Sequence, residues 1–385
     1  MTSAPSQTQP TNPVEPPTGT LTSEPGPRVR RWTPRRVLVT RAAVGLPHTE
    51  EILRRVAAAG VEDVETVGRV SPPRGTSERE AYAWAKTTLA VVVAPPSALK
   101  PQPIPPSADW RIDLAKGCPA HCQYCYLAGS LTGPPVTRVY ANLDDVLAPI
   151  PGLVGHGTVT SGTAERGHEG TTFELSCYTD PLGIEHVTGS LAAAVERVGT
   201  GVYGDGASLR FTTKFDDVAE LAALPHGGRT RARFSVNAEE VAARFDGGTA
   251  PVAGRLRALA TLAAAGYPVG LTVAPVMPVE GWQDAYGQLL DDVRDALAPV
   301  AASGRAVDLT VEVITHRFTP GSRDVLMSWY PRTRLEMDVG ARRAKRSKFG
   351  GVKYVYPTET MRALRAWFET EVPARLPGTP LLYLT

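Results

Sequence analysis

The sequence predicts an α/β protein, and three observations predict it. From Trp110 onward, short β-branched and apolar runs alternate with longer stretches whose apolar residues recur at helical spacing, the pattern of a parallel sheet with crossover helices. The chain has 385 residues, 42% of them apolar, which is material for one large core and a smaller one. No apolar run reaches the ~18 residues that a membrane span needs, and no internal repeat is visible, so membrane and solenoid classes fall away.

Residues 1–33 are rich in Pro, Ser, Thr and Gly and poor in large apolar residues. Such a composition cannot offset the entropy of ordering, so a disordered tail is expected. Residues 34–107 read as a small N-terminal α/β unit ending in a proline-rich linker. Its expected strands are Arg36–Thr40, Val61–Val67 and Leu89–Val93, and its helices are Glu50–Ala59 and Ser77–Thr88.

Residues 108–320 form the large unit. Expected strands are Arg111–Leu114, Thr172–Ser176, Ser208–Thr213, Arg231–Asn237, Val269–Ala274 and Asp308–Ile314. Expected helices are Ile184–Val198, Phe215–Leu224, Ala238–Arg244, Val252–Ala265 and Trp282–Leu297. Gly152 to Gly170 shows no period and reads as an exposed loop. Residues 321–385 carry basic residues Arg342, Arg343, Lys345, Arg346, Lys348 and Lys353 interleaved with aromatics, a Phe349-Gly350-Gly351-Val352 turn, and a closing helix over Met361–Glu371.

Net charge is only +2, so any nucleic-acid surface must be local. That basic, aromatic stretch is the candidate, since cations neutralise phosphate and aromatics stack on bases, although a solvated loop has the same composition. Three of the four cysteines are clustered, which does not read as a disulfide framework. With no signal-peptide pattern, the expectation is a cytoplasmic protein in a reducing compartment, away from membranes and monomeric.

The clustered cysteines are Cys118, Cys122 and Cys125, spaced C-x3-C-x2-C after a predicted strand end. Thiolates at this spacing can converge on one soft metal centre. Three ligands suit a 4Fe–4S cubane with one iron left open. A closed zinc site completed by His121 or Cys177 is a second reading, and buried structural thiols are a third.

The spacing, with Tyr124 before the third cysteine, resembles the radical S-adenosylmethionine (SAM) superfamily. That resemblance implies a partial (β/α)6 barrel, a 4Fe–4S cluster on the three cysteines, and SAM on the open iron. Further stretches are similar to the spore photoproduct lyase family: Cys118 to Leu127, Cys177-Tyr178-Thr179-Asp180-Pro181-Leu182-Gly183-Ile184, Leu209-Arg210-Phe211-Thr212-Thr213-Lys214, Arg233-Phe234-Ser235-Val236-Asn237, Val273-Ala274-Pro275, His316-Arg317-Phe318-Thr319 and Lys353-Tyr354-Val355-Tyr356. The resemblance runs from about Arg36 to Thr385.

The resemblance implies a DNA-repair lyase that reverses a thymine–thymine adduct by taking hydrogen from its C6. Cys177 would give a hydrogen atom to the product radical, and Tyr126 and Tyr124 would relay the radical back towards SAM. Lys214 and Ser235 would bind SAM, with Thr179 and Asp180 close by, Ala274 along the adenine, and Asn237 on the same strand end as Ser235. DNA and a one-electron donor such as flavodoxin or ferredoxin are the implied partners. The sequence departs from the family at Tyr178-Thr179, where Thr-Ser is expected, at Lys348-Phe349, where Arg-Tyr is expected, and in a longer Gly152–Gly170 loop. These departures leave open the same radical chemistry on another substrate. A zinc-stabilised nucleic-acid-binding module is the reading from a different class.

Overall fold

The computed structural model describes residues 31–131, 133–164, 166–346 and 351–385. The larger of two main sheets contains six parallel strands in chain order: Ala108–Ile112, Thr171–Leu175, Ala207–Thr213, Thr230–Val236, Val269–Val276 and Leu309–Thr315. Right-handed crossovers that always step to the next position curl such a sheet, and here it forms a half barrel. Leu381–Leu384 adds a parallel edge strand beside the sixth, and Gln102–Ile104 caps the other edge in antiparallel fashion. The predicted six-strand set is therefore present, with strand ends displaced by up to three residues.

The smaller sheet runs in the order Val64–Val67, Arg36–Thr40, Thr88–Val92, Thr137–Tyr140 and Ala115–Lys116. Its last two strands come from beyond residue 107. The cysteine loop is thus an excursion between two strands of the small sheet, launched from the first strand of the large one. Sequence periodicity missed Thr137–Tyr140 because four residues between prolines and a turn carry too little pattern.

Local chemistry explains several boundaries. Ser77 caps the Glu78–Lys86 helix in a capping box with Glu80. Thr319 and Ser322 do the same for Pro320–Trp329, a helix that the sequence reading left unassigned. The expected Ile184–Val198 helix is broken at Gly189, whose φ of 66° separates Glu185–Thr188 from Ser190–Gly199. Only Ala219–Ala222 of the expected Phe215–Leu224 helix is helical. The backbone N–H groups of Lys214 and Phe215 bond instead to Asp180 Oδ2 and Thr213 Oγ1.

The tail expected over residues 1–33 lies outside the described residues up to residue 30. Trp32, within that range, is fixed: its indole N–H donates to the Lys86 carbonyl and its own carbonyl meets His186 Nε2 at 2.7 Å. The Gly152–Gly170 segment is not simply an exposed loop. The buried Asp109 carboxylate accepts from the N–H groups of Val159 and Thr160, and Thr160 is fully buried.

Inside the half barrel, charge replaces hydrocarbon. Arg233 bonds to both Glu174 and Glu312, Arg210 bonds to Glu312 at 2.9 Å, and Tyr383 of the edge strand donates to Glu312. All four charged side chains are buried, so each depends on its partners for solvation. Arg233→Ala leaves two buried carboxylates short of a cation. It is expected to cost about 3–5 kcal/mol, read as a lowered urea midpoint in equilibrium unfolding; a loss below about 1 kcal/mol would show that water reaches the network.

Candidate active site

The cysteine loop and the loop after the second barrel strand are tied together at the C-terminal edge of the sheet. Gly117 begins the cysteine loop at φ 84°, and a Cβ there would overlap the Val136 carbonyl. Its N–H donates to the Tyr178 carbonyl at 2.9 Å. Lys86, the last residue of the Glu78–Lys86 helix, donates to the carbonyls of Cys118 and Ala120. Cys122 is buried and its backbone pairs with Asp246, while Cys125 N–H donates to the Cys122 carbonyl.

Burial pushes the Cys118 thiol up to about 12 and also raises Cys122. As the chain stands, no group of three His, Cys, Asp or Glu side chains among the described residues is placed to hold a metal ion.

Cys177 follows Ser176, the only non-glycine residue with positive φ, at 60°, among the described residues. Such a conformation is costly and persists only when neighbours enforce it. Here Ser176 N–H donates to the Ile112 carbonyl at 2.7 Å and Ser176 Oγ accepts from Leu114 N–H at 3.0 Å. Cys177 is half-buried. Burial, then the Glu174 and Asp113 carboxylates, raise its pKa, so the sulfur keeps its hydrogen at neutral pH.

The two tyrosines diverge. Tyr126, 62% exposed, donates its hydroxyl to the Cys177 carbonyl. Tyr124 donates to Asp246, and Lys214 Nζ lies 5.5 Å from its ring centre. Lys214 Nζ also contacts Asp246 Oδ2 at 3.1 Å and the Ala274 carbonyl at 3.3 Å. Despite Asp246, burial and the nearby Arg255 lower the Lys214 ammonium to about 7. Ser235 is buried on the next strand, with its hydroxyl 3.5 Å from the Ala274 carbonyl, and Ala274 is the half-buried residue in an otherwise buried strand.

Three implied cofactor residues behave differently from one another. Thr179 Oγ1 is buried and lacks a partner. Asp180 is saturated instead, accepting from Thr213 Oγ1 and from the N–H groups of Gly183 and Lys214. Asn237 is fully buried, donating to the Pro275 carbonyl and accepting from Ala238 N–H and the Tyr286 hydroxyl. Both hold backbone rather than offering a free polar atom.

Sequence reasoning missed Asp246, the hub that meets Tyr124, Lys214 and Arg255. Its only signal is an acidic residue before two glycines at a helix end. Tyr178, a departure from the threonine expected there, has its ring 4.7 Å from the Arg111 guanidinium and 5.4 Å from Lys116 Nζ.

The basic stretch also differs from its sequence reading. Arg342 is 8% exposed, bonded to Glu336, the His316 carbonyl and His316 Nδ1, and stacked 3.7 Å over the Tyr356 ring. It is a buried strut and has no free donor face for phosphate. Arg343–Arg346 is exposed throughout and pairs antiparallel with Val352–Val355, making the expected hairpin. Lys348, Phe349 and Gly350, on which the expected turn falls, lie outside the described residues.

A parallel half barrel of six strands, with a three-cysteine loop at the mouth beside its first strand, places the chain among the radical SAM enzymes. The sequence matches the family model "Spore photoproduct lyase" over residues 32–385. It is 36% identical over 359 residues to spore photoproduct lyase of a Geobacillus species, covering 93% of this chain and 100% of that protein. It is 35% identical over 356 residues to that of Bacillus subtilis, covering 92% and 99%. A spore photoproduct lyase variant solved with bound AdoMet and dinucleoside spore photoproduct superposes with a TM-score of 0.82 at 35% identity, covering 92% of this chain and 99% of that one. The chain belongs to the spore photoproduct lyase family.

Proposed function

We propose that this chain is a carbon–carbon lyase that reverses the thymine–thymine spore photoproduct in DNA. The observation that carries this reading is the placement of Cys177: a protonated thiol at the barrel mouth, on a strained turn, clamped by Tyr126 and tied to the cysteine loop. A relative of similar sequence along its whole length binds both AdoMet and the dinucleoside lesion.

Three thiols on one short loop fit a 4Fe–4S cluster with an open iron, held by Cys118, Cys122 and Cys125. Those three side chains would hold it, although among the described residues they are not already gathered into a metal cage. The Thr179 hydroxyl, buried and without a partner, is a polar atom awaiting a ligand, which fits bound SAM. Lys214 would meet the SAM carboxylate, Ser235 its polar groups, and Ala274 would admit the adenine face. Asp180 and Asn237 serve by fixing Lys214 and the strand ends. When bound, the cluster and SAM supply the radical that takes hydrogen from the lesion.

The chain's own residues finish the reaction. The Cys177 S–H bond breaks homolytically and its hydrogen passes to the product thymine radical. Tyr126, whose hydroxyl donates to the Cys177 carbonyl, carries an O–H able to return hydrogen to the sulfur, and Tyr124, whose hydroxyl donates to Asp246, is the second phenol of the relay. The cluster is recharged by an external one-electron donor of the flavodoxin or ferredoxin kind. No helix among the described residues is long and apolar enough to cross a membrane, and the proposed setting is the cytoplasm.

Three outcomes are expected. Protein reconstituted without oxygen should carry iron and sulfide, and Cys122→Ala should lose both along with the brown colour; zinc in their place would support the closed-site alternative. Changing Arg343, Lys345 and Arg346 to Gln should weaken DNA binding and reduce the salt slope by about two to three, while SAM cleavage without DNA stays unchanged. Unchanged DNA affinity would move the binding face off the hairpin.

The third outcome tests the reading itself. Cys177→Ala should still bind the cluster and cleave SAM but return little clean thymine product from a synthetic dinucleotide adduct, with trapped side products instead. Clean repair by that variant would remove Cys177 from the reaction. An adduct left untouched by wild-type protein that cleaves SAM would assign this chain another substrate.

A further inference from the structure

Lys86 ends the Glu78–Lys86 helix and is 6% exposed. Its ammonium donates to the Cys118 carbonyl at 2.8 Å and to the Ala120 carbonyl, on either side of Pro119. The Tyr82 ring centre lies 5.6 Å from Nζ. Tyr82 in turn stacks on Trp329 at 4.7 Å, and its hydroxyl meets His121 Nδ1 at 3.3 Å and the Tyr330 hydroxyl. The lysine backbone is held as well, since its carbonyl accepts the Trp32 indole N–H at 3.0 Å.

Among the described residues, no carboxylate forms an ion pair with Lys86. Lys214, by contrast, is paired with Asp246 at 3.1 Å. A buried cation without a counter-ion is costly, and an apolar residue would end this helix at lower free energy. The missing counter-charge is what the cysteine loop can hold. A cubane on three thiolates is anionic, and more so once reduced. A carbonyl oxygen and the sulfur of one cysteine are only a few bonds apart, so an ammonium bonded to the first stands close to any metal bound by the second.

We infer that Lys86 is a positioning residue for the iron–sulfur cluster: it clamps the cysteine loop at Cys118 and Ala120, and its buried charge favours one-electron reduction there. This rests on the reading that Cys118, Cys122 and Cys125 hold a 4Fe–4S cluster. Reduction moves one electron from the external donor, which is oxidised, to the cluster. No proton moves, and Lys86 keeps its three hydrogens. A fixed positive charge stabilises the added electron, and burial leaves that attraction weakly screened.

The test is the reduction midpoint of full-length protein reconstituted without oxygen, read by electron paramagnetic resonance against mediators, with neither SAM nor substrate. Lys86→Gln keeps N–H donors and loses the charge, whereas Lys86→Arg keeps both. In Lys86→Gln the ratio of reduced to oxidised cluster at the wild-type midpoint should fall about tenfold, about 59 mV for one electron, while Lys86→Arg stays within about twofold of wild type. A merely structural lysine would leave the midpoint alone in any variant that loads, so equal midpoints in Lys86→Gln and wild type overturn the inference. Should Lys86→Gln not fold, Lys86→Met, also neutral and of similar volume, is read by the same criterion. Loading by Lys86→Arg but by neither neutral variant places the requirement on the charge and supports the inference; failure of all three to load overturns it. In metal-free protein, backbone amide exchange across Gly117–Cys122 should quicken in Lys86→Met, and unchanged exchange overturns the clamp. If wild type takes up zinc and no iron, the cluster reading falls and the charge role falls with it. If wild type carries the cluster and the midpoints coincide, only the assignment of Lys86 falls.

Discussion

Hydrogen bonds between the ends of the first two barrel strands set the register on which the site depends. Ser176 N–H meets the Ile112 carbonyl, Leu114 N–H meets Ser176 Oγ, and Gly117 N–H meets the Tyr178 carbonyl. Tyr140 N–H meets the Leu114 carbonyl and joins the small sheet to the same seam. Because all but one of these run from backbone to backbone, a shift of one residue in either loop would break several at once. The cysteine loop and Cys177, 52 residues beyond Cys125 in sequence, therefore keep a fixed relation. The strained Ser176 turn persists because the seam over-determines it.

Electrostatics divides the barrel into two regimes. Deep inside, Arg210, Arg233, Glu174 and Glu312 are mutually satisfied and serve as a rigid filling. At the mouth, groups are left incompletely satisfied: Thr179 Oγ1 and Asp113 Oδ1 lack partners, and burial depresses Lys214. Incomplete satisfaction is costly in a folded chain and marks the places where a ligand or a reacting group completes the bonding. The contrast also separates implied site residues into two kinds. Thr179 keeps an unpartnered hydroxyl, whereas Asp180 and Asn237 have every side-chain polar atom engaged by neighbouring protein groups.

Much of the architecture was legible in the sequence. Six barrel strands could be read because each is a run of β-branched or aromatic residues bounded by turns, and the Val252–Ala265 helix because its apolar stripe and trailing glycine mark both ends. The three metal-binding candidates could be read because their spacing is local. Elements of four residues, such as Thr137–Tyr140 and Leu381–Leu384, could not, since their pairing partners lie far along the chain. Nor could the fate of Arg342 be read: its composition is that of a phosphate-binding cluster, and only the positions of Glu336, His316 and Tyr356 turn it inward.

By itself, then, the sequence determined what depends on neighbours in the chain: the alternation that builds a parallel sheet, the cysteine triplet, and the order of the matching stretches. Tertiary structure decided what depends on partners distant in sequence. It made Asp246 the hub for Tyr124 and Lys214, gave Cys177 its two carboxylate neighbours, and consumed Asp180 and Asn237 as struts. The physical reason is that a side chain's charge state and free hydrogen-bonding atoms are set by burial and by what surrounds it, and those surroundings exist only once the strands have closed.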